Sequence, residues 1–312
     1  MGSRRSNRSV GVDGVLLVDK PSGLTSHDVV GRLRRALRTR TVGHAGTLDP
    51  MATGLLVVLV GYYTRLSPYL TGADKAYDAE VTFGKSTTTD DAEGEVLETS
   101  ETDRVTEAEL RAALAGFRGR CVQVPPAYSA IQIAGERMYD KARRGESVEI
   151  PAREVTFHEL ECLGYEPPRA SLAVRCSKGT YIRSLARDLG QRMGVPAHLS
   201  GLRRTGSGAF RLADAVPLED LLVADVAQRH LRRGLHALPG LTAVEVEEDL
   251  AKELLLGRPV LVPGASPLQD AHETCLAHIA GDVVALVTRL DDGRWRSVRA
   301  LRDTREAQPH GA

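Results

Sequence analysis

The segment Thr41-Val-Gly-His-Ala-Gly-Thr-Leu-Asp-Pro-Met-Ala-Thr-Gly54 and the apolar run Leu55-Leu-Val-Val-Leu-Val60 that follows it decide the fold. The run is continuous and of strand length, which predicts a strand buried on both faces. The segment before it holds three glycines, a histidine and an Asp-Pro pair, a composition typical of a loop. Loops on a rigid scaffold often carry function, although a plain turn explains the same residues. The loop lacks the G-K-[ST] and G-x-G-x-x-G spacings of nucleotide-phosphate loops.

A basic amphipathic helix is predicted before this loop. Ser26 is expected to be its N-cap, and its apolar stripe consists of Val29, Val30, Leu33, Ala36 and Leu37. The remaining surface, left to solvent or to a partner, carries the arginines Arg32, Arg34, Arg35 and Arg38. Residues 14–18 predict a strand, and Pro21-Ser-Gly23 predicts the turn between that strand and the helix.

The middle of the chain alternates strand and helix patterns. Strands are predicted at residues 77–83, 155–163 and 172–176. Thr106 and Glu109 predict a capping box at a helix start. Further helices are expected at residues 136–144 and after an N-cap at Thr180.

The C-terminal part has a different pattern, made of short β-rich pieces at residues 259–262, 275–279, 283–287 and 295–298. This resembles a small β-barrel. A chain of 312 residues exceeds the size of roughly 250–300 residues at which a single core usually stops growing. We therefore predict two domains, residues 1–240 and residues 241–312.

Composition limits the possible classes of protein. Hydrophobic residues are 42% and charged residues 26% of the chain, as in ordinary folded proteins. The apolar runs are too short to span a membrane, and the N-terminus has no apolar core of a signal sequence, so a cytoplasmic location is expected. The four cysteines have no C-x-x-C spacing and are expected to be reduced thiols, and no set of metal ligands is evident.

The net charge is zero, but the charges are segregated along the sequence. Residues 1–75 carry 11 basic and 5 acidic side chains, a difference of +6, and residues 78–109 are strongly acidic. Arginines dominate again in residues 137–211. This distribution suits a protein with one surface facing a polyanion, although a solvated surface with locally balanced charges explains it equally well.

The loop segment resembles the active-site motif of the TruB family of pseudouridine synthases, through Gly43-His-Ala-Gly-Thr-Leu-Asp-Pro50 followed by Ala52-Thr-Gly-Leu-Leu56. Further segments resemble the family in the same order, so that the resemblance covers residues 14 to about 210: Asp19-Lys-Pro21 with Thr25-Ser26, Lys75-Ala-Tyr77, Pro125-Pro-Ala-Tyr-Ser-Ala130, and Gly179-Thr-Tyr-Ile-Arg183 with Leu202-Arg-Arg-Thr205.

The resemblance implies an α/β (α+β) catalytic domain with a mixed, largely antiparallel sheet in residues 1–240. It also implies a small PUA-like β-barrel that binds RNA in residues 241–312. The implied activity is isomerisation of uridine 55 in the T arm of tRNA to pseudouridine, without a cofactor or metal. The implied partner is tRNA, and we expect a monomer with no obligate protein partner.

The family's site residues transfer to matching positions of this chain. Asp49 corresponds to the nucleophile and Arg183 to the arginine that pairs with it, for which a guanidinium fork allows two-point contact. Tyr77 corresponds to the ring that stacks on the flipped base. The implied substrate-binding residues are His44, at the RNA loop, Tyr181 and Leu202, in the pocket, and Lys20, which with the helix arginines is expected to contact phosphate.

Two positions depart from the family pattern. Thr88 stands where the acidic loop commonly has its first aspartate, which puts the contacts of that loop in question. Gln132 stands where a lysine is frequent, which removes one possible phosphate charge. Two rival interpretations remain, a guide-dependent catalytic subunit of a ribonucleoprotein and a non-catalytic RNA-binding or RNA-chaperone protein.

Overall fold

The computed structural model describes residues 12–102, 105–128, 132–133, 136–137, 150–263 and 274–302. Its strands are β1 (Gly14–Lys20), β2 (Val42–His44), β3 (Thr53–Val60), β4 (Lys75–Phe83), β5 (Lys85–Thr87), β6 (Val96–Thr99), β7 (Gly119–Gln123), β8 (Gln132–Ile133), β9 (Glu136–Arg137), β10 (Arg153–Glu166), β11 (Arg169–Cys176), β12 (Ala197–Ser207), β13 (Phe210–Arg211), β14 (Val216–Pro217), β15 (Ala243–Glu245), β16 (Thr274–Ile279), β17 (Asp282–Arg289) and β18 (Trp295–Ala300).

The α-helices of the described residues are α1 (Ser26–Ala36), α2 (Ser67–Thr71), α3 (Glu107–Ala115), α4 (Ile182–Met193), α5 (Leu218–Leu221), α6 (Ala224–His230) and α7 (Glu248–Leu255). Short 3-10 helices occur at Gly61–Leu66, Leu212–Asp214 and Leu235–Ala237.

A ten-stranded sheet forms the centre of the molecule, with the order β14-β1-β3-β12-β4-β11-β10-β7, β2 beside β3 and β13 beside β12. Within the described part of this sheet, β1 with β14 and β3 with β12 are parallel, and the other pairs are antiparallel. The predicted α/β (α+β) class with a mixed, largely antiparallel sheet is therefore confirmed.

Strand β3 is buried on both faces, as its continuous apolar sequence predicts. Its alternate residues belong to two separate clusters of the core, Leu55, Val57 and Leu59 to one and Leu56, Val58 and Val60 to the other. The second cluster is closed by helices α1, α5 and α6. The first contains Leu276, Val283 and Leu286 of the C-terminal strands. The loop between β2 and β3 is thus attached to a strand that is packed on both sides.

The C-terminal strands form a four-stranded sheet, ordered β15-β16-β17-β18, with helix α7 packed against it. The strands predicted at residues 275–279, 283–287 and 295–298 lie within β16, β17 and β18 and are confirmed. Residues 259–262 do not form a strand, and Val260 makes an isolated bridge with Trp295 instead. The described residues show an open sheet, so the closed barrel stays a prediction.

Two predicted helix caps are wrong by one residue, and one is confirmed. Thr25, not Ser26, caps α1, in a capping box with Asp28. Thr106 and Glu109 form the predicted box at α3. Tyr181, not Thr180, occupies the N-cap of α4, and no side chain caps that helix.

The predicted helix at residues 136–144 is wrong at its start, because Glu136–Arg137 is a short strand, β9. Its remaining residues lie outside the described ones. The strands predicted at residues 14–18, 77–83, 155–163 and 172–176 fall within β1, β4, β10 and β11 and are confirmed.

Because the C-terminal sheet shares a cluster with β1 and β3, we expect removal of residues 240–312 to destabilise the rest of the chain. Leu286→Ala in the full chain tests the same contact and is expected to lower the free energy of unfolding by about 2–5 kcal/mol. Leu261→Ala, at a side chain that is 65% exposed, is the matched control. Urea unfolding measures all three, and unchanged midpoints for the truncated chain and for Leu286→Ala would contradict the prediction.

Candidate active site

The loop between β2 and β3 is fastened through its backbone. Ser26 is buried, and its hydroxyl both donates to the carbonyl of Leu48 (3.1 Å) and accepts from the Leu48 amide (2.8 Å). Gly23 donates to the carbonyl of Pro50 (2.8 Å). These contacts hold the residues on both sides of Asp49, so the carboxylate projects from a fixed loop. The residue predicted as a helix cap is therefore a support of the candidate site.

Lys20 is fully buried, at 0% exposure, and its ammonium donates to the carbonyls of Pro21 (2.9 Å), Leu24 (2.7 Å) and Pro50 (3.3 Å). The prediction that Lys20 contacts phosphate is wrong, because its donors are used inside the protein. Burial lowers the pKa of Lys20 to about 8, while the nearby Asp49 carboxylate opposes this shift. Through its hydrogen bond to the Pro50 carbonyl, Lys20 holds the Asp49 loop from the interior of the protein.

Asp49 and Arg183 meet, as the resemblance implies. The Nε atom of Arg183 lies 3.1 Å from Oδ2 of Asp49, and the two side chains are 7% and 38% exposed. This Nε makes no well-aligned hydrogen bond, so the contact is a charge pair at one point and not a two-point fork. The carboxylate consequently keeps an accessible side, opposite the buried guanidinium.

The other nitrogens of Arg183 hold two more segments. Nη1 lies 3.3 Å from the carboxylate of Asp91 and donates to the carbonyl of Thr89 (3.1 Å). Nη2 donates to the carbonyl of Tyr128 (3.0 Å). Arg183 therefore connects the Asp49 loop, the acidic loop and the segment after β7. Asp91, which is 3% exposed, was not singled out from the sequence, although it lies in the acidic loop noted there.

The acidic loop is also tied to the same helix one turn further on. Arg187 of α4 contacts Asp90 at 2.8 Å, and Asp90 has a positive φ of 60°. Thr88, the departure from the family pattern, closes the base of this loop, because its hydroxyl accepts from the amide of Glu95 (3.1 Å). The threonine thus serves the turn itself and makes no contact to Arg183.

Tyr77 and Leu202 occupy the sheet surface beside the loop. Strand pairing places Tyr77 of β4 opposite Arg204 and Ala79 opposite Leu202, so Tyr77 and Leu202 share one face of the sheet. Both are partly buried and touch the two core clusters that meet there. Burial raises the pKa of Tyr77 to about 12, so its phenol is neutral at physiological pH.

Arg204 is a site residue that the sequence reasoning did not single out. It is 1% exposed, donates to the carbonyls of Gly46 (3.3 Å) and Thr47 (3.0 Å), and places its guanidinium carbon 5.9 Å from the centre of the Tyr77 ring. Strand alternation in Leu202-Arg-Arg-Thr205 would have predicted this position, because it places residue 204 on the same face of the sheet as Leu202.

Tyr181 lies two residues before Arg183, and its backbone forms two hydrogen bonds with the Gln123 side chain. The Gln123 amide donates to the Tyr181 carbonyl (3.0 Å) and accepts from the Tyr181 N–H (2.8 Å). The guanidinium of Arg153 lies 5.4 Å from the centre of the Tyr181 ring. The two hydrogen bonds to Gln123 fix the start of α4 and with it the direction of the Arg183 side chain.

His44 ends β2 at the entrance to the loop. Burial, followed by the positive charge of Arg204, lowers the pKa of His44 and favours the neutral ring. A neutral ring is suited to contact with a base rather than with a phosphate. The structure therefore brings Asp49, Arg183, Tyr77, His44 and Leu202 around one loop and one sheet face.

Other expectations concern features away from this loop. The four cysteines form no disulfide, and the described residues contain no group of three or more metal-binding side chains. No helix in the described ranges is both long and apolar enough to cross a membrane. The side chain of Gln132 lies outside the described residues, and the loss of a phosphate charge there stays a prediction.

Comparison with protein families agrees with this geometry. A family model described as "TruB family pseudouridylate synthase (N terminal domain)" matches residues 34–182. A second, "tRNA pseudouridylate synthase B C-terminal domain", matches residues 183–239. The first match contains Asp49, Tyr77 and Asp91, and the second begins at Arg183. The fold and the site thus define an RNA-modifying isomerase, a pseudouridine synthase.

Curated relatives extend the similarity to nearly the whole chain. A tRNA pseudouridine synthase B of Opitutus terrae is 52% identical over 208 residues, covering 67% of this chain and 86% of the relative. The protein of that name from Sinorhizobium medicae is 38% identical over 314 residues, covering 96% and 99%. The chain belongs to the TruB family.

Solved structures share the fold. A chain of a Cbf5-Nop10-Gar1 complex gives a TM-score of 0.74 at 24% identity, covering 95% of this chain and 87% of that one. A chain of an H/ACA RNP bound to a substrate RNA containing 2'-deoxyuridine gives 0.73 at 23% identity, with the same coverage. At this identity the likeness establishes the fold alone.

Arg183→Lys is expected to lower the single-turnover rate about a hundredfold, because a point charge cannot replace the fork that reaches Asp49, Asp91 and two carbonyls. RNA affinity should stay within a few fold. Arg192→Lys, on the same helix over Phe117, is the matched control. Rates and affinities at two salt concentrations test this. A near-normal rate, or an affinity loss that low salt restores, would remove Arg183 from the active site.

Lys75 gives a pH prediction for stability. Its ammonium is buried and donates to the carbonyls of Ala73 (2.6 Å) and Thr71 (3.3 Å). Burial lowers the pKa of Lys75 to about 8 from the ordinary 10.5. Between pH 8 and 10.5 the unfolded chain therefore holds more protons on Lys75 than the folded one, so this group's contribution to stability rises with pH.

Relative to Lys75→Met, the wild-type free energy of unfolding should accordingly increase across that window, by at most about 1.4 kcal/mol per pH unit. Lys178→Met, at an exposed lysine, is the control. Urea unfolding of the three proteins at pH 7.5 and 9.5 checks the sign, and a difference that is flat or falls with pH would refute it.

Proposed function

We propose that the protein converts uridine 55 in the T arm of tRNA to pseudouridine, with Asp49 as the nucleophile. The relatives that cover this chain are named tRNA pseudouridine synthase B, which supports tRNA as the substrate. The observation that carries the residue assignment is the pair formed by half-exposed Asp49 and buried Arg183. An anion that is paired yet accessible suits nucleophilic attack.

The reaction balances without a cofactor. The bond from ribose C1′ to uracil N1 breaks, the base rotates, and a bond forms from C1′ to C5. C5 loses its proton and N1 gains one, so the composition does not change. Asp49 would bond to the sugar or base while the ring turns, and Arg183 would offset the carboxylate charge whenever Asp49 is free.

The target nucleotide must leave the stacked loop before Asp49 can reach it. In this proposal the Tyr77 ring stacks on the extruded uracil, and its neutral phenol adds no charge to the pocket. Leu202 and Tyr181 form the apolar wall, and His44 contacts the RNA loop beside the flipped position. The partial exposure of each of these residues, in contrast to the buried support beneath them, is consistent with such roles.

Helix α1 and the residues that follow it offer the surface for the RNA backbone. Arg35, Arg38 and Arg40 are exposed and Arg32 is half-exposed, whereas Arg34 uses its guanidinium to hold the carbonyl of Val42 (2.8 Å). Because Lys20 is buried, the candidates for phosphate contacts are Arg32, Arg35, Arg38 and Arg40. Such contacts position RNA without reading its sequence.

We further propose that the chain works alone, as a monomer in the cytoplasm. In this view residues 1–240 are the catalytic domain and residues 241–312 a PUA-like RNA-binding domain. The similar solved structures are complexes with other proteins, so the guide-dependent rival remains to be tested. The rival predicts no turnover by the purified chain on bare tRNA.

Asp49→Asn is expected to abolish isomerisation of an unmodified tRNA transcript while tRNA affinity stays within a few fold, because the amide keeps the shape but cannot act as a nucleophile. Tritium release from C5 measures turnover, and mapping of pseudouridine locates it. Asp225→Asn, at an exposed carboxylate on α6, is the matched control.

A transcript with cytidine at position 55 should give no pseudouridine in the T arm. Activity of Asp49→Asn within tenfold of wild type would sink the nucleophile assignment. Product at another position would sink the site, and a need for added protein or guide RNA would favour the ribonucleoprotein rival.

A further inference from the structure

We propose that Arg204 is a positioning residue of the reaction, which fixes the Asp49 loop and the Tyr77 ring relative to each other. This inference rests on the proposed role of Asp49. Arg204 does not reach the surface, since it is 1% exposed, so it acts through other residues and not by contact with RNA.

Arg204 holds the backbone of the Asp49 loop. Nη2 of Arg204 donates to the carbonyl of Thr47 (3.0 Å), and both Nη atoms donate to the carbonyl of Gly46 at 3.3 Å. Asp49 follows Thr47 by two residues. A planar guanidinium that binds two successive carbonyls sets the orientation of this stretch of backbone, which a single hydrogen bond would not.

Arg204 also contacts the aromatic ring of Tyr77. The guanidinium carbon lies 5.9 Å from the centre of the Tyr77 ring, within the range of a cation–π contact. Tyr77 and Arg204 are also paired across β4 and β12. One side chain thus touches both the loop that bears the nucleophile and the proposed stacking ring.

Gly46 shows how close this contact is. It has a φ of +113°, and a Cβ atom there would lie 3.1 Å from Nη1 of Arg204 and 3.4 Å from Cε of Lys75. The loop therefore approaches the guanidinium at a position where the backbone conformation and the tight spacing both favour glycine.

Burial of the Arg204 guanidinium costs free energy, which favours a functional reason for its presence. Burial lowers the pKa of Arg204, and the groups that oppose this shift include Tyr77 and Asp49. Among the described residues no carboxylate forms an ion pair with Arg204, and its Nε has no hydrogen-bond partner. An apolar side chain would fill the volume without this desolvation. What it could not do is hold two carbonyls and a ring in one geometry.

The test compares Arg204→Met and Arg204→Lys with Arg203→Met. Arg203 is the neighbouring residue on β12 and pairs with Asp19 on the opposite face at 2.7 Å, so it controls for loss of an arginine from the strand. We expect a single-turnover rate constant about a hundredfold lower for Arg204→Met and about tenfold lower for Arg204→Lys. The reaction amplitude should be complete, and tRNA affinity should stay within a few fold.

A purely structural role predicts a different result. Partial unfolding lowers the amplitude and the thermal midpoint while the surviving molecules react at the normal rate constant. That result, a normal rate constant in Arg204→Met, or failure of both variants to fold would overturn the proposal. If only Arg204→Met fails to fold, Arg204→Lys decides. Asp49→Asn is measured in parallel: activity in that variant rejects the proposed function itself, whereas an inactive Asp49→Asn with a normal Arg204→Met rejects only this inference.

Discussion

The contact between the Arg183 guanidinium and three separate segments is the constraint on which the site depends. A buried guanidinium needs compensating partners: here Nη1 and Nη2 donate to the carbonyls of Thr89 in the acidic loop and of Tyr128, while Nε forms a charge pair with Asp49. None of these segments is adjacent in sequence to another. Because one cation joins them, the Asp49 loop is linked to the acidic loop, and this arrangement is present in the protein without RNA.

The central sheet makes this arrangement possible by burying β1 and β3 on both faces. The helices on one side and the C-terminal sheet on the other fix the strand that leaves the Asp49 loop. Strand β12 runs parallel to β3 at Arg203 and Arg204 and antiparallel to β4, so it brings Leu202, Arg204 and Tyr77 to the loop. The site lies where two clusters of the core meet, since Tyr77 and Leu202 pack against both.

The sequence predicts much of this, and the limits have physical causes. Continuous apolar runs and the capping box at Thr106 depend on local chemistry, so β3 and α3 are found from sequence alone. The resemblance leads to Asp49, Arg183 and Tyr77. It does not show that Lys20 is buried or that Ser26 holds Leu48, because a lysine or serine looks the same in sequence whether it faces water or a carbonyl. Arg183 was expected to bind one carboxylate through two nitrogens, but its nitrogens contact several different groups. Only the tertiary structure decides which groups these are.

The two buried cations that hold the loop do so through its backbone oxygens. Lys20 holds Pro50, and Arg204 holds Gly46 and Thr47. A carbonyl is the same in every residue, so this support is indifferent to the identity of the side chains above it, glycine at 46 excepted. Side chains on the outer surface of the loop are therefore free to change with the RNA that they meet, while the path of the chain through Asp49 stays constant. The scaffold thus separates the side chains on the outer surface of the loop from the backbone that positions Asp49, so that the outer surface can change without moving that carboxylate.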